Sequence, residues 1–143
     1  MTAEWKAAAR AGNVEAMERL LEQGADIDAL DEHGQTALML AAMRGHTAVA
    51  RFLVARGAKL DHTAKFHLTA LMLAVIAGHA DIVRALVEAG ADLTVRGTGA
   101  PGFHDKTALD LAEARVGDEA TLRVQAEMTT ALRAASAMED ESA

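Results

Sequence analysis

Six histidines and one glycine-rich word are the residues of this chain whose chemistry could reach beyond packing. His33, His62, His67 and His104 offer imidazole nitrogens of the kind that ligate zinc, which needs its ligand atoms within about 2.0–2.2 Å of one ion. His62 and His67 are close enough in sequence to approach each other, but no third ligand accompanies them. His46 and His79 each follow a glycine and read as structural hydrogen-bonding groups. The word Gly97-Thr98-Gly99-Ala100-Pro101-Gly102 fits the G-x-G-x-x-G pattern of dinucleotide sites, where the glycines open a helix whose N-terminus meets the pyrophosphate. Here Pro101 interrupts the word and the next helix start is near Thr107, so an inserted loop is the better reading. A small-ligand site or an enzyme built on this loop is the weakest of the functional alternatives. No H-E-x-x-H, phosphate loop or nucleophile–histidine–carboxylate order stands elsewhere. The expectation is a non-enzyme with no catalytic residue, no cofactor site and no metal site.

The elements that must position these groups announce themselves by repetition. Gly12, Gly45 and Gly78 are 33 residues apart, and so are Gly24, Gly57 and Gly90. Thr36-Ala37-Leu38-Met39-Leu40-Ala41 returns as Thr69-Ala70-Leu71-Met72-Leu73-Ala74, and Gly45-His46 as Gly78-His79. A fixed period of this length means stacked supersecondary units, none able to bury its apolar face alone. Within a unit, Thr36 or Thr69 can cap a first helix. Gly45 or Gly78 can end it in the left-handed conformation. Val49, Ala50, Leu53 and Val54, then Ile82, Val83, Leu86 and Val87, give the second helix its apolar face. Trp5 falls at the position of Leu38 and Leu71 and is expected in the core.

These words resemble the ankyrin repeat, with its Thr-Pro-Leu-His-x-Ala, Gly-His and Gly-Ala-Asp signatures on a 33-residue period. The chain has Thr-Ala-Leu-Met twice and Thr107-Ala108-Leu109-Asp110 once, then Gly24-Ala25-Asp26, Gly57-Ala58-Lys59 and Gly90-Ala91-Asp92. The family's Pro and His are missing from every unit. The resemblance covers about residues 5–117 and implies an all-α solenoid of stacked helix-turn-helix units. Four units are expected, at about 2–30, 31–63, 64–96 and 97–138, in a single domain over 1–138. Thr107 follows Thr69 by 38 residues, which places five extra residues near Gly97–Gly102. A long last helix from about Glu119 suits a C-terminal cap, and residues 139–143 read as an acidic disordered tail.

Composition narrows the function classes. A chain of 143 residues with 51% apolar but only 3% aromatic residues has a thin core of alanine and leucine. It has no cysteine, so no disulfide framework or thiolate metal site. No secretory signal is visible and no apolar run is long enough for a bilayer, so a cytoplasmic protein without a membrane partner is expected. The net charge of −7 argues against a nucleic-acid partner. Abundant alanine and arginine are compatible with a bacterial source.

Binding therefore remains. The resemblance implies a concave surface built from loop tips and the exposed side of the first helices. Its tip positions are Glu32, His33 and Gln35 in unit two, Lys65, Phe66 and Leu68 in unit three, and Phe103, His104 and Lys106 in unit four. The adjoining helix positions are Arg10, Met43, Arg44, Ile76 and Arg115. Unit three departs from the others: Ala64-Lys65-Phe66-His67-Leu68 replaces Asp31-Glu32-His33-Gly34-Gln35, with large apolar residues where polar ones stood. Two readings are open. Phe66, Leu68, Met43, Ile76 and Phe103 form an exposed patch for a partner, or Phe66 and Leu68 pack under the inserted loop. The expected function is a non-catalytic protein–protein interaction module, an adaptor, inhibitor or accessory subunit. An immunity or antitoxin-like inhibitor of a toxic enzyme is the alternative.

Overall fold

A computed structural model describes residues 1–115, 117 and 119–142, the side chains of 120, 121 and 140–142 excepted. The described residues form four antiparallel helix pairs: α1 (Ala3–Ala11) with α2 (Val14–Glu22), α3 (Ala37–Arg44) with α4 (Thr47–Ala55), α5 (Ala70–Ala77) with α6 (Ala80–Glu88), and α7 (Ala108–Glu113) with α8 (Glu119–Ser142). The pairs stack so that α1, α3, α5 and α7 form an inner layer and α2, α4, α6 and α8 an outer one.

The repeated words set the helix boundaries. Thr36 and Thr69 hydroxyls each accept the backbone N–H three residues on, from Met39 and Met72, at 3.2 Å. Thr107 goes further and makes a reciprocal capping box with Asp110. The alanines of the inner helices are what let them lie close: Ala37, Ala41 and Ala42 in α3 and Ala74 in α5 have no exposed surface. Leucines and branched residues from both layers fill the space between, with Leu53, Ile82 and Leu86 fully enclosed. Trp5 takes the expected core place in the first unit, 1% exposed.

The histidine of each Gly-His word ties a unit to the one before it. His46 Nε2 lies 2.8 Å from the carbonyl oxygen of Arg10 and its ring covers Gly12. The His79 ring covers Gly45 in the same way. Unit four has Gly117 where this histidine would fall. Arg115 fills the place: its guanidinium lies over Gly78 and donates to the carbonyls of Val75 and Ile76 at 2.9 and 2.7 Å. Orphan carbonyls at the end of α5 are thus capped by a charged donor.

α8 spans 24 residues and closes the stack, burying Met128 and Leu132 against α6 and α7. Its backbone is helical through residues 139–142, where the sequence suggested an acidic disordered tail; residue 143 lies outside the described residues. No helix among the described residues is long and apolar enough to cross a membrane.

Candidate interaction surface

Three hairpin tips project from the stack between successive helix pairs, and their necks are equivalent. The backbone N–H of Asp31 donates to Gln35 O at 2.9 Å, that of Ala64 to Leu68 O at 3.1 Å, and that of Gly97 to Lys106 O at 2.9 Å. The first two necks close over four residue steps and the third over nine, so the five extra residues bulge from tip four alone. Near each tip's end one residue is left-handed: Gly34 at φ 73°, His67 at 58° and Asp105 at 58°. Only the first is the glycine that this region favours. At His67 a bond from Nδ1 to the carbonyl of Arg96, 3.0 Å, holds the turn, and at Asp105 Arg96 Nη1 donates to the main-chain oxygen at 2.9 Å. Phe66 is also left-handed, at φ 62°, an uncommon conformation for a bulky residue that surrounding contacts must sustain.

Those contacts come from the inserted loop. The N–H of Thr98 donates to Phe66 O at 2.7 Å, and the rings of Phe66 and Phe103 meet with centroids 5.6 Å apart. A side chain at Gly99 would come within 3.0 Å of the Phe66 ring, and one at Gly97 would strike the Phe103 carbonyl. The glycines of the G-x-G-x-x-G word therefore serve close packing between tips three and four. α7 begins only at Ala108, and no helix opens on the glycines.

The surface residues sort accordingly. Leu68 is 5% exposed and belongs to the core, so it leaves the expected contact surface. Phe66 and Phe103 are half-buried against each other under the loop, and the packing alternative for the unit-three departure is the one realised. Arg115 is half-buried and committed to capping α5. Glu32 remains exposed and pairs with Lys6 of α1. That hydrogen bond above all draws its carboxyl down from 4.5 to about 2. His33 is exposed, with Nε2 3.7 Å from the Glu32 carboxylate. Gln35 is half-buried and its side-chain amide donates to Met43 Sδ at 3.4 Å, which joins tip two to α3. Met43 and Ile76 are exposed by 43% and 38%. Arg44, Lys65, His104 and Lys106 are exposed, Lys65 with its ammonium 4.8 Å from the Phe66 ring centroid. Among the described residues no three His, Asp or Glu side chains are grouped to hold a metal ion.

Helix pairs on a 33-residue period, Gly-His contacts between units and equivalent hairpin necks agree with a family model that matches the chain, ankyrin repeats in three copies over residues 5–97. The chain belongs to the ankyrin-repeat family. No curated protein matches it. The family match stops at the neck of tip four, where the insertion begins. The ankyrin architecture nonetheless continues through α7, whose cap and left-handed tip residue repeat those of the earlier units. Ankyrin repeats are in general protein–protein interaction modules, which is the coarse function this chain shares.

One residue at this surface, Lys6, and one role, that of Arg115, are not read from the sequence. Lys6 was passed over because its partner Glu32 is 26 residues away and in another unit. The capping role of Arg115 had a legible signal: carried through the insertion, the Gly-His register finds no histidine at 117, and an arginine stands two residues earlier.

Proposed function

We propose that the chain is a non-catalytic module that holds a partner protein against its concave face, as an adaptor, inhibitor or accessory subunit. The observation that carries the reading is the exposure of Met43 and Ile76 at one register position of successive inner helices. Stability asks for nothing apolar there, since Arg10 occupies the same position in α1 and is exposed. Adjacent exposed apolar side chains with a polar rim are what a protein partner desolvates first. Gln35, Arg44, Lys65, His104 and Lys106 supply that rim. Phe66 and Phe103 shape it as a packed ridge, with the anchor role moved to Met43 and Ile76.

The test is affinity capture with the full chain and with a Met43→Asp/Ile76→Asp variant of matched melting temperature. A partner held by the parent is expected to be lost from the variant, with each anchor contributing roughly 2 kcal/mol or more. A partner retained equally by both would move the contact to another face.

A further inference from the structure

Charge is distributed unevenly over this molecule. The excess of acid that makes the net charge −7 lies on the outer helices and the linking loops, for example at Glu15, Glu22 and Glu88. Several loop carboxylates are spent internally: Asp28 accepts from the N–H of Lys59 at 2.9 Å, and Asp61 from that of Asp92 at 2.8 Å. On the face made by the tips and the inner helices both signs occur, but its centre is cationic: α3, α5 and tip three carry Arg44 and Lys65 and no acidic residue. Away from that centre, Glu32 is taken by Lys6, Asp31 accepts from the N–H groups of His33 and Gln35, Asp105 lies 3.5 Å from Arg96, Asp110 is turned into the capping box with Thr107, and Glu113 is taken by Arg133 of α8. Glu4 is on the N-terminal flank, in the shallow depression that Arg19 also lines.

Four cations of that face are outside these ion pairs, although Lys106 is near enough to Asp110 to help lower its carboxyl. Arg10 and Arg44, in the last turns of α1 and α3, and Lys65 and Lys106, on tips three and four, are exposed and have no ion-pair partner among the described residues. Lys65 rests on the Phe66 ring. Arg10 shares the register position of Met43 and Ile76, Arg44 follows Met43 in α3, and Lys65 is on the tip that leads into α5. Helix-end cations complement the dipole, which accounts for Arg10 and Arg44 but not for the lysines on the tips.

Resting on the interaction reading above, we propose that the concave face takes an acidic polypeptide segment, its carboxylates meeting Arg10, Arg44, Lys65 and Lys106 and its apolar side chain seated on Met43 and Ile76. The apolar pair is what favours a polypeptide over a nucleic acid, because phosphate binding would use the cations and leave that pair wet. Glu15, Glu18 and Glu22 on α2 and Asp81 and Glu88 on α6 oppose an acidic partner on those outer helices, whereas α4, with Arg51 and no acidic residue, does not.

The experiment is selection of a displayed random-peptide library on the full chain, with a pool of random single-stranded DNA as a separate probe. Enriched peptides are expected to be rich in Asp and Glu around a Leu, Ile or Phe. Their affinity is expected to fall by about tenfold or more in an Arg44→Glu/Lys65→Glu variant that melts like the parent, and to weaken with added salt. A milder Arg44→Gln/Lys106→Gln variant guards against a folding artefact. Neutral or basic peptides enriched through Met43 and Ile76 would overturn the acidic assignment and leave the interaction reading standing. Peptides indifferent to Met43→Asp/Ile76→Asp, or no enrichment at all, would overturn both. DNA bound at least as tightly as the peptides, with the same dependence on the cations, would replace the polypeptide by a nucleic acid.

Discussion

A methyl group added at Gly45 would lie 2.5 Å from the His79 ring, whereas one added at Gly57 would meet nothing within 4 Å. Both glycines are left-handed, at φ 76° and 83°, so either substitution carries a backbone cost of about 1–2 kcal/mol. Only at Gly45 must the histidine that joins two units also move. Gly45→Ala is therefore expected to lower the urea midpoint distinctly more than Gly57→Ala. Equal losses would show that the ring is free to swing away and that the Gly-His contact does not couple the units. The same geometry makes Arg115 a substitute for a missing histidine: its stem spans the greater distance and its guanidinium reaches two carbonyls at once.

Among the elements, α6 and tip four lie at opposite ends of the stability range. Leu86 is fully enclosed by the layers on either side, so Leu86→Ala is expected to cost about 2–5 kcal/mol and to weaken the adjoining pairs, as nearest-neighbour stacking requires. A melt within error of the parent would count against this packing. Phe66→Ala acts elsewhere. It removes the ring that the inserted loop covers, while Leu68 stays in the core. Amide exchange at Thr98, whose N–H donates to Phe66 O, is expected to quicken with little change at Leu86. Unchanged protection at Thr98 would mean that the loop holds its shape without the aromatic contact.

For the molecule as a whole, acid is the expected weakness. Glu32, Asp92 and Asp110 sit in a hairpin tip, a linking loop and a helix cap, and each has a carboxyl held below its ordinary value. The causes are local hydrogen bonds: from Lys6 to Glu32, from the Thr94 hydroxyl and N–H to Asp92, and from the Thr107 N–H to Asp110. A depressed carboxylate contributes stability that is complete above its unfolded value, 4.5 for Glu32 and 3.8 for the aspartates, and that is lost as the pH falls through the lower folded value. The melting temperature is expected to be level near neutrality and to drop below about pH 4, less steeply in Asp110→Asn, which starts lower. A melting temperature that rises on acidification would contradict these assignments.

The stack itself was legible in the sequence because it is made by local rules applied three times. Threonine caps, left-handed glycine ends and the spacing of Leu53 and Leu86 each act within one unit, and repetition fixes how units meet. Tip four defeated that logic. Its five extra residues follow no period, so whether Phe66 and Leu68 faced solvent or the loop depended on contacts between residues more than 30 positions apart. The same holds for the charged side chains. Sequence places Arg44, Lys65, Lys106 and Arg115 at exposed register positions with equal weight, but ion pairing and capping depend on distance in space. Only the tertiary structure separates Arg115, bound to two backbone carbonyls, from Arg44, Lys65 and Lys106, which keep their charge turned outward.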